Sequence, residues 1–403
     1  MKKSHIDWCP VIPDHWEEKR IKDIAFLQSG NSITAMDIAE EGKYPVYGGN
    51  GLRGYTNNYT NDGDYILIGR QGALCGNINY AYGKFYATEH AVVVYTKNEE
   101  ITYWLGETLK AANLNRLSMT AAQPGLAVST LNIQFIPYPP RKERIRIANY
   151  LAEKCTEIDT QMSLLTSKRD AYLRLKKSII NHAVTRGLDP NVKMKDSGIE
   201  WIGEVPEHWE VKRMKDICAL SPNIKSCSEY EYGSYLPMEG LRLDQIETSD
   251  ELVSTLQGKY TPFEDNDLLV AKVTPCFENG NIAIAKGLTN GVGFGSSEIF
   301  VLRANKYNNI RFLFYMSLSS KFQDKACATM CGVGGLKRIS PLFMKTYIMA
   351  IPPSTEQRAI ATYLDDKCAK IDTIVSNLDK QISRYADLKR SLIDEVITGK
   401  RAV

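Results

Sequence analysis

No run of eighteen apolar residues occurs in this chain, and its first ten residues, MKKSHIDWCP, contain no apolar core. A membrane-spanning helix needs about twenty such residues and a secretory leader needs an apolar centre, so neither is expected. Histidine is scarce, five in 403 residues, too few to build a metal cluster. The nine cysteines are scattered singly; Cys327 and Cys331 are the closest pair, with no histidine nearby and no second pair to complete a zinc site. Free thiols in a chain of this size fit a reducing cytoplasm. An excess of one charge is also missing, since fifty Lys/Arg against forty-seven Asp/Glu leave only +3. Net charge therefore does not by itself predict a nucleic-acid partner. Hydrophobic content of 43% and charged content of 24% are ordinary globular values, and the length suffices for two or three domains.

What the chain does contain is itself, twice. Pro13 to Ile24 reads PDHWEEKRIKDI and Pro206 to Ile217 reads PEHWEVKRMKDI, nine identities in twelve at an offset of 193. Pro139 to Thr185 returns as Pro352 to Thr398 at an offset of 213, with twenty identities in forty-seven. The stretches between, 28–138 and 221–351, share little sequence. A scaffold is kept in duplicate while its two working surfaces differ. A protein that reads two unlike targets at a fixed separation needs that arrangement.

The second repeated block predicts long helices. Each copy opens on a double proline, PPRKE or PPSTE, which stops a strand and sets up a helix start; in STEQ, Ser354 and Gln357 are spaced for a capping box. Apolar residues then recur by fours and threes at Leu151, Cys155, Ile158, Met162, Leu165, Tyr172 and Ile179. The second copy gives Leu364, Cys368, Ile371, Val375, Leu378, Ile382, Tyr385 and Leu392. This is a heptad seam interrupted by Arg169, Lys176 and Lys389. Two helices of one register in one chain are expected to pack on each other, antiparallel because the chain must return between them. A helix of about 40 residues spans roughly 60 Å, nearly two turns of duplex DNA. Residues 141–187 carry eleven Lys/Arg against five Asp/Glu, while 354–403 carry nine against eight. A basic face could follow phosphates, or it could simply be solvated, and the pair could equally be an oligomerisation coiled coil.

The intervening regions read as mixed α/β with short strands and many Gly/Asn turns. GDYILIGRQGALCGNINY is a buried strand and a polar glycine-rich loop, followed by the strand EHAVVVYTK. DLLVAKVTPCFENGNIAIAKG and GSSEIFVLR play the same parts in the second half. Each strand delivers a basic residue, Arg70 or Lys272, into a loop of amides and hydroxyls: Gln71, Asn77 and Asn79, against Thr274, Asn279 and Asn281. Arginine to guanine and Asn/Gln to adenine are the base-edge contacts that geometry favours. GGNGLRGYTNN adds Asn50, Arg53, Asn57 and Asn58, and GVGGLKRIS adds Lys337 and Arg338, with glycines that permit close approach to phosphate. Any one of these could instead be an ordinary turn residue.

Catalytic patterns are represented only by lookalikes. Asp14 and Glu17 sit too close together to frame a nuclease metal site, and YPPR and IPPS lack the amide or carboxylate of an adenine methyltransferase loop. Neither Gly291–Gly295 nor Gly332–Gly335 follows a strand and opens a helix, and no Walker lysine is found. His15 and His208, beside Trp16 and Trp209, are expected to pack. The chain is expected to catalyse nothing alone.

The duplicated P-D/E-HWE-x-KR-x-KDI entry, the paired PP-x-x-E helices and the C-terminal block IPPSTEQRAIATYLDDKCAKID together resemble the DNA-specificity subunits of type I restriction-modification systems, over essentially the whole chain. The resemblance implies two α/β target-recognition domains, 1–140 and 191–353, each reading half of a split site. It implies that long-helix regions, 141–190 and 354–403, separate them, set the spacer and dock two modification subunits. Those partners resemble adenine-N6 methyltransferases using S-adenosylmethionine; motor/nuclease subunits would add ATP and magnesium. No cofactor or metal is expected on this chain, and a cytoplasmic location is. At Arg144-Ile145 the first copy departs from the Gln357-Arg358 of the second, which leaves open whether the two helix starts meet partners alike. A stand-alone duplicated DNA-binding regulator, a non-DNA assembly scaffold and the specificity chain of a fused nuclease-methyltransferase system remain the alternatives.

Overall fold

The computed structural model spans residues 1–403 and describes all of them except 73, 98–100, 119–124, 225–228 and 333–334. Two compact units emerge: Met1–Thr166 with Lys380–Val403, and Ser167–Asp379. Each takes part of both long helices, Arg141–Arg186 and Ser354–Ile397. The units thus cut across the linear division into recognition and helix segments, because antiparallel pairing puts the start of one helix beside the end of the other.

In the first unit, a four-stranded antiparallel sheet has the order Ala25–Ser29, Ala91–Thr96, Tyr65–Gly69, Ile78–Ala81. Its central strands are apolar at nearly every position because both faces are covered. Ile66, Ile68, Val92 and Val94 pack with Trp104, Leu105 and Leu109 of the helix Thr102–Ala111. The alternate residues Leu67 and Val93 pack with Phe85 and Ala87 of a second sheet. Period-2 geometry divides one apolar run between two cores. That second sheet has the order Gly51–Thr56, Tyr44–Gly48, Lys84–Ala87, Asn61–Asp62, with one parallel pairing at its centre.

The second unit repeats this topology. Its first sheet runs Cys218–Leu220, Ile299–Ala304, Leu268–Ala271, Ile282–Ile284. Its second runs Ser249–Leu252, Tyr232–Leu236, Val292–Gly295, Thr261–Glu264, again parallel at the centre. Among the described residues it adds a short helix, Val253–Leu256, and a small hairpin, Leu241–Arg242 with Gln245–Ile246, which touches the edge strand Ile282–Ile284. In the first unit only Gly49 and Asn50 separate the corresponding strands.

The expected antiparallel helix pair is present. In the second unit Arg169 pairs with Asp379 (3.4 Å) and Lys176 with Asp372 (2.6 Å), so seven residues forward on one helix are seven back on the other. In the first unit Lys389 pairs with Asp159 (2.7 Å). Each cation that interrupts the seam thus meets an aspartate of the other helix. Such exposed pairs contribute little stability, roughly 0–1 kcal/mol each, and act instead on register. Leu151, Cys155, Ile158, Leu364, Cys368, Ile371, Leu378 and Leu392 are buried; Met162, Leu165, Tyr172, Ile179, Val375, Ile382 and Tyr385 are half-buried.

Both helices start from their second proline, whose carbonyl accepts from Glu143 and Arg144 N–H in one copy and from Glu356 and Gln357 N–H in the other. The capping box expected of Ser354 and Gln357 does not form. The Gln357 amide turns inward instead, donating to Pro352 O (2.9 Å) and Asn308 Oδ1 (3.0 Å) and accepting from Asn309 N (2.7 Å). It thereby serves the start of the helix Ile310–Ser317.

Candidate nucleic-acid interface

In the first unit, Arg70 leaves the strand Tyr65–Gly69 with its backbone held from both sides. Its N–H donates to His90 O (2.8 Å), and Leu126 N donates to its carbonyl (2.9 Å). Gln71 bridges Gly125. The loop closes when Gly69 N donates to Asn77 O (2.8 Å) and Gly76 N to Gly69 O (2.7 Å). Gly69 is required there, since a Cβ would lie 2.1 Å from Gly49 O. Asn77 Nδ2 donates to Asn50 Oδ1 (3.2 Å), which joins the 49–50 turn to the 70–77 loop. Arg53 folds over Gly48, and Arg70 donates to Ser29 Oγ (3.3 Å). Asn50, Arg53, Arg70, Gln71, Asn77 and Asn79 therefore share one patch. Asn57 and Asn58 do not belong to it. They line a separate cavity of about 660 Å³ with Thr34, Asp37 and Tyr86.

The second unit repeats the framework with other side chains. Lys272 N donates to Glu298 O (3.0 Å), Ile339 N donates to Lys272 O (2.9 Å), and Ala271 N donates to Asn281 O (3.0 Å). Val273 bridges Arg338 as Gln71 bridges Gly125. Lys272, Thr274, Asn279, Asn281, Lys337 and Arg338 are brought together, although not all are free to read a base. The Thr274 hydroxyl is buried, donating to Gly335 O (2.9 Å) and accepting from Lys337 N (3.0 Å), so its duty is to shape the loop. Asn281 is also buried. Arg338 donates to Glu298 from both Nε (2.9 Å) and NH2 (3.0 Å), a fork that holds it charged and occupied. Lys272 lies 4.9 Å from the Phe300 ring, and burial lowers its pKa. Exposed Asn279, Lys337 and half-exposed Lys272 remain as available donors, as do Asn50, Arg53, Gln71 and Asn77 in the first unit.

The framework is anchored by contacts that sequence reasoning missed. Trp16 Nε1 donates to Glu143 Oε2 (2.8 Å), and His15 Nε2 lies 2.8 Å from Glu143 Oε1. Trp209 Nε1 donates to Glu356 Oε1 (3.2 Å), and His208 Nε2 lies 2.7 Å from Glu356 Oε2. One carboxylate in the first turn of each long helix, where the helix dipole favours it, accepts from both rings of the entry motif. His15 and His208 are thus exposed partners of a carboxylate, not packing residues. The signal was available: HW and PP-x-x-E are the two strings repeated together. Each long helix also ends on a left-handed glycine beside such a tryptophan. Gly187 (φ +78°) adjoins Trp209 and Glu356, and Gly399 (φ +71°) adjoins Pro13 and Trp16.

Where the two copies differ at the helix start, Gln357 is fully satisfied and Arg144 is not. Arg144 is 6% exposed, and its Nε and NH1 have no hydrogen-bond partner among the described residues. Its guanidinium lies 4.0 Å from the Tyr138 ring and 5.6 Å from that of Trp104. Among the described residues no three His, Cys, Asp or Glu side chains gather as a metal site, and no helix is long and apolar enough to cross a membrane.

Residues 13–163 and 206–384 match the family described as the type I restriction modification DNA specificity domain. The chain is 42% identical over 139 residues to the type I restriction enzyme EcoprrI specificity subunit of Escherichia coli, covering 34% of this chain and 35% of that protein. It thus spans about a third of that relative, and 33% of the EcoEI specificity subunit of the same organism. Against the MjaVIII specificity subunit of Methanocaldococcus jannaschii it is 22% identical over 416 residues, covering 96% and 93% of the two chains. A solved structure titled for complex assembly and conformational transition of the type I R-M system matches 97% of this chain and all of its own, with 14% identity and a TM-score of 0.68. That likeness is one of fold.

Proposed function

The chain belongs to the family of type I restriction-modification DNA specificity domains, and we propose that it is the specificity subunit of such a system, reading a bipartite, asymmetric DNA site with one half-site per unit. The observation that carries this reading is a duplicated backbone framework with unlike side chains at its loops: Arg70, Gln71 and Asn77 in one copy, Lys272, Asn279 and Lys337 in the other. Lysines and arginines set register on phosphate, while loop side chains read base edges. Two adenine methyltransferase subunits dock on the chain and use S-adenosylmethionine to modify an adenine that they flip from the stack. Motor/nuclease subunits with ATP and magnesium complete a restricting assembly. This chain supplies position, and its helix pair supplies the spacing.

The test is co-expression with the neighbouring methyltransferase subunit, followed by mapping of methylated adenines across the host genome by single-molecule sequencing. A single split motif with a fixed spacer, dependent on this chain, is expected. A stable complex with no new methylation would favour a scaffold. DNA binding by the chain alone, with no complex, would favour a regulator.

A further inference from the structure

The two units differ most in how they treat the face between the first sheet's edge strand and the long helix. In the second unit that face is closed by an internal cation. Arg311 donates from Nε to Asp365 Oδ1 (2.7 Å) and from NH2 to Asp244 Oδ2 (2.7 Å). Its guanidinium lies 4.4 Å from the Phe314 ring and 5.0 Å from that of Tyr315, whose hydroxyl donates to Asp365 Oδ1 (2.7 Å). Asp244 comes from the added hairpin, fastened to the edge strand by its N–H to Ile282 O (2.8 Å).

None of those residues is kept in the first unit, where Lys110 instead pairs with Glu107 (2.6 Å) and lies 4.8 Å from the Tyr80 ring. Tyr103 replaces Arg311 as the second residue of the corresponding helix. Ala152 replaces Asp365 at the repeat offset of 213, and the hairpin with Asp244 has no counterpart. What remains is an open pocket of about 450 Å³ on the edge strand Ile78–Ala81, lined by Tyr80, Tyr82, Tyr103, Asp64, Asn149 and Ala152. Its wall is a tyrosine stack, with Tyr80 5.5 Å from Tyr103 at 21° and 6.4 Å from Tyr82 at 15°. Tyr82 is 63% exposed, at the outer end of that stack. Asp64 has no ion-pair partner among the described residues. Glu107, beneath Tyr80, is already paired with Lys110 (2.6 Å).

We propose that this pocket receives an arginine side chain from a docked modification subunit, which lies along the Ile78–Ala81 edge and does for the first unit what Arg311 and the hairpin do within the second. A planar guanidinium stacks on tyrosine faces and pairs with a carboxylate at once, which a rounder ammonium does less well. An unpaired Asp64 at the mouth attracts a cationic protein segment and repels a phosphate backbone. The inference rests on the reading of the chain as a specificity subunit. It adds that the two units hold their modification subunits by different means.

The experiment is native mass spectrometry of the full chain co-expressed with its modification subunit, comparing wild type with Asp64→Lys, Tyr82→Ala and, as a matched control at the corresponding position of the second unit, Lys286→Ala. All three side chains are exposed, so folding is preserved. Wild type and the control are expected to carry two modification subunits, whereas Asp64→Lys and Tyr82→Ala lose one, with about tenfold weaker binding of the second. A photo-crosslinking residue at position 82 should capture an arginine-bearing peptide, and replacing that arginine by alanine should reproduce the loss. If wild type assembles and both pocket variants assemble equally well, the inference is overturned while the specificity reading stands. It is overturned likewise if assembly is unchanged and only DNA binding weakens. If wild type itself fails to assemble, the parent reading falls first.

Discussion

At the ends of corresponding strands, the first unit places Arg70, His90 and Gly125 where the second places Lys272, Glu298 and Arg338. At the opposite ends of those same strands, Tyr65 and Tyr95 pack edge to face at 5.1 Å, and their counterparts Asp267 and Arg303 form an ion pair at 2.7 Å. The same main-chain ladder tolerates an aromatic pair or a charged pair, because ladder hydrogen bonds and period-2 apolarity specify the sheet without regard to the side chains at its rim. At the helix starts the opposite holds. Trp16 with Glu143 and Trp209 with Glu356 repeat nearly atom for atom. Variation thus reaches even the buried Asp267 of the sheet, and is absent where an indole meets one carboxylate at one depth.

The sharpest test of that equivalence is removal of the two tryptophans. Trp209→Ala and Trp16→Ala should each cost roughly 3–5 kcal/mol in urea unfolding, from the buried ring and the indole hydrogen bond the carboxylate loses. A loss confined to one of them would show that the sockets are alike in shape but not in weight. Exchange at the one point where the helix starts diverge comes next. Gln357→Arg should cost about 2–4 kcal/mol, since Asn309 N loses its acceptor and a cation is buried, whereas the reverse Arg144→Gln should cost about 1 kcal/mol in lost ring contacts. Equal effects of the two exchanges, measured by thermal unfolding, would mean that the neighbouring helices do not care which residue stands there. Acting on recognition instead of stability is Lys272→Ala, expected to relax one half-site by roughly 1–3 kcal/mol and leave the other untouched, read as methylation at mismatched sites. A uniform loss over all sequences would assign Lys272 to phosphate.

Much of the architecture could be read from residue order. The double prolines, the heptad spacing and the strand pairs around Arg70 and Lys272 all lie where period and punctuation placed them. The matched aspartates of the helix pair could not be read, because Asp159, Asp372 and Asp379 look like ordinary surface charges until the register is known. Burial was the other hidden quantity. Thr274 has the chemistry of a base reader but spends it on its own loop, Asn281 is buried, and Arg338 is occupied by a glutamate forty residues away. The second sheet of each unit, with its parallel centre, was concealed as well, since the stretches 28–138 and 221–351 that hold it share little sequence.

The core of the first unit has a consequence for the order of events at the ribosome. Ile12, Trp16 and Leu151 share their core with Leu392, Val396 and Ile397, and Gly399 closes against Trp16. The second unit draws only on residues 167–379 and has all its parts once the middle of the second long helix has emerged. Synthesis therefore completes the later-encoded half first, and the amino-terminal half must wait, its hydrophobic surface unfilled, for the last turns of helix to be translated.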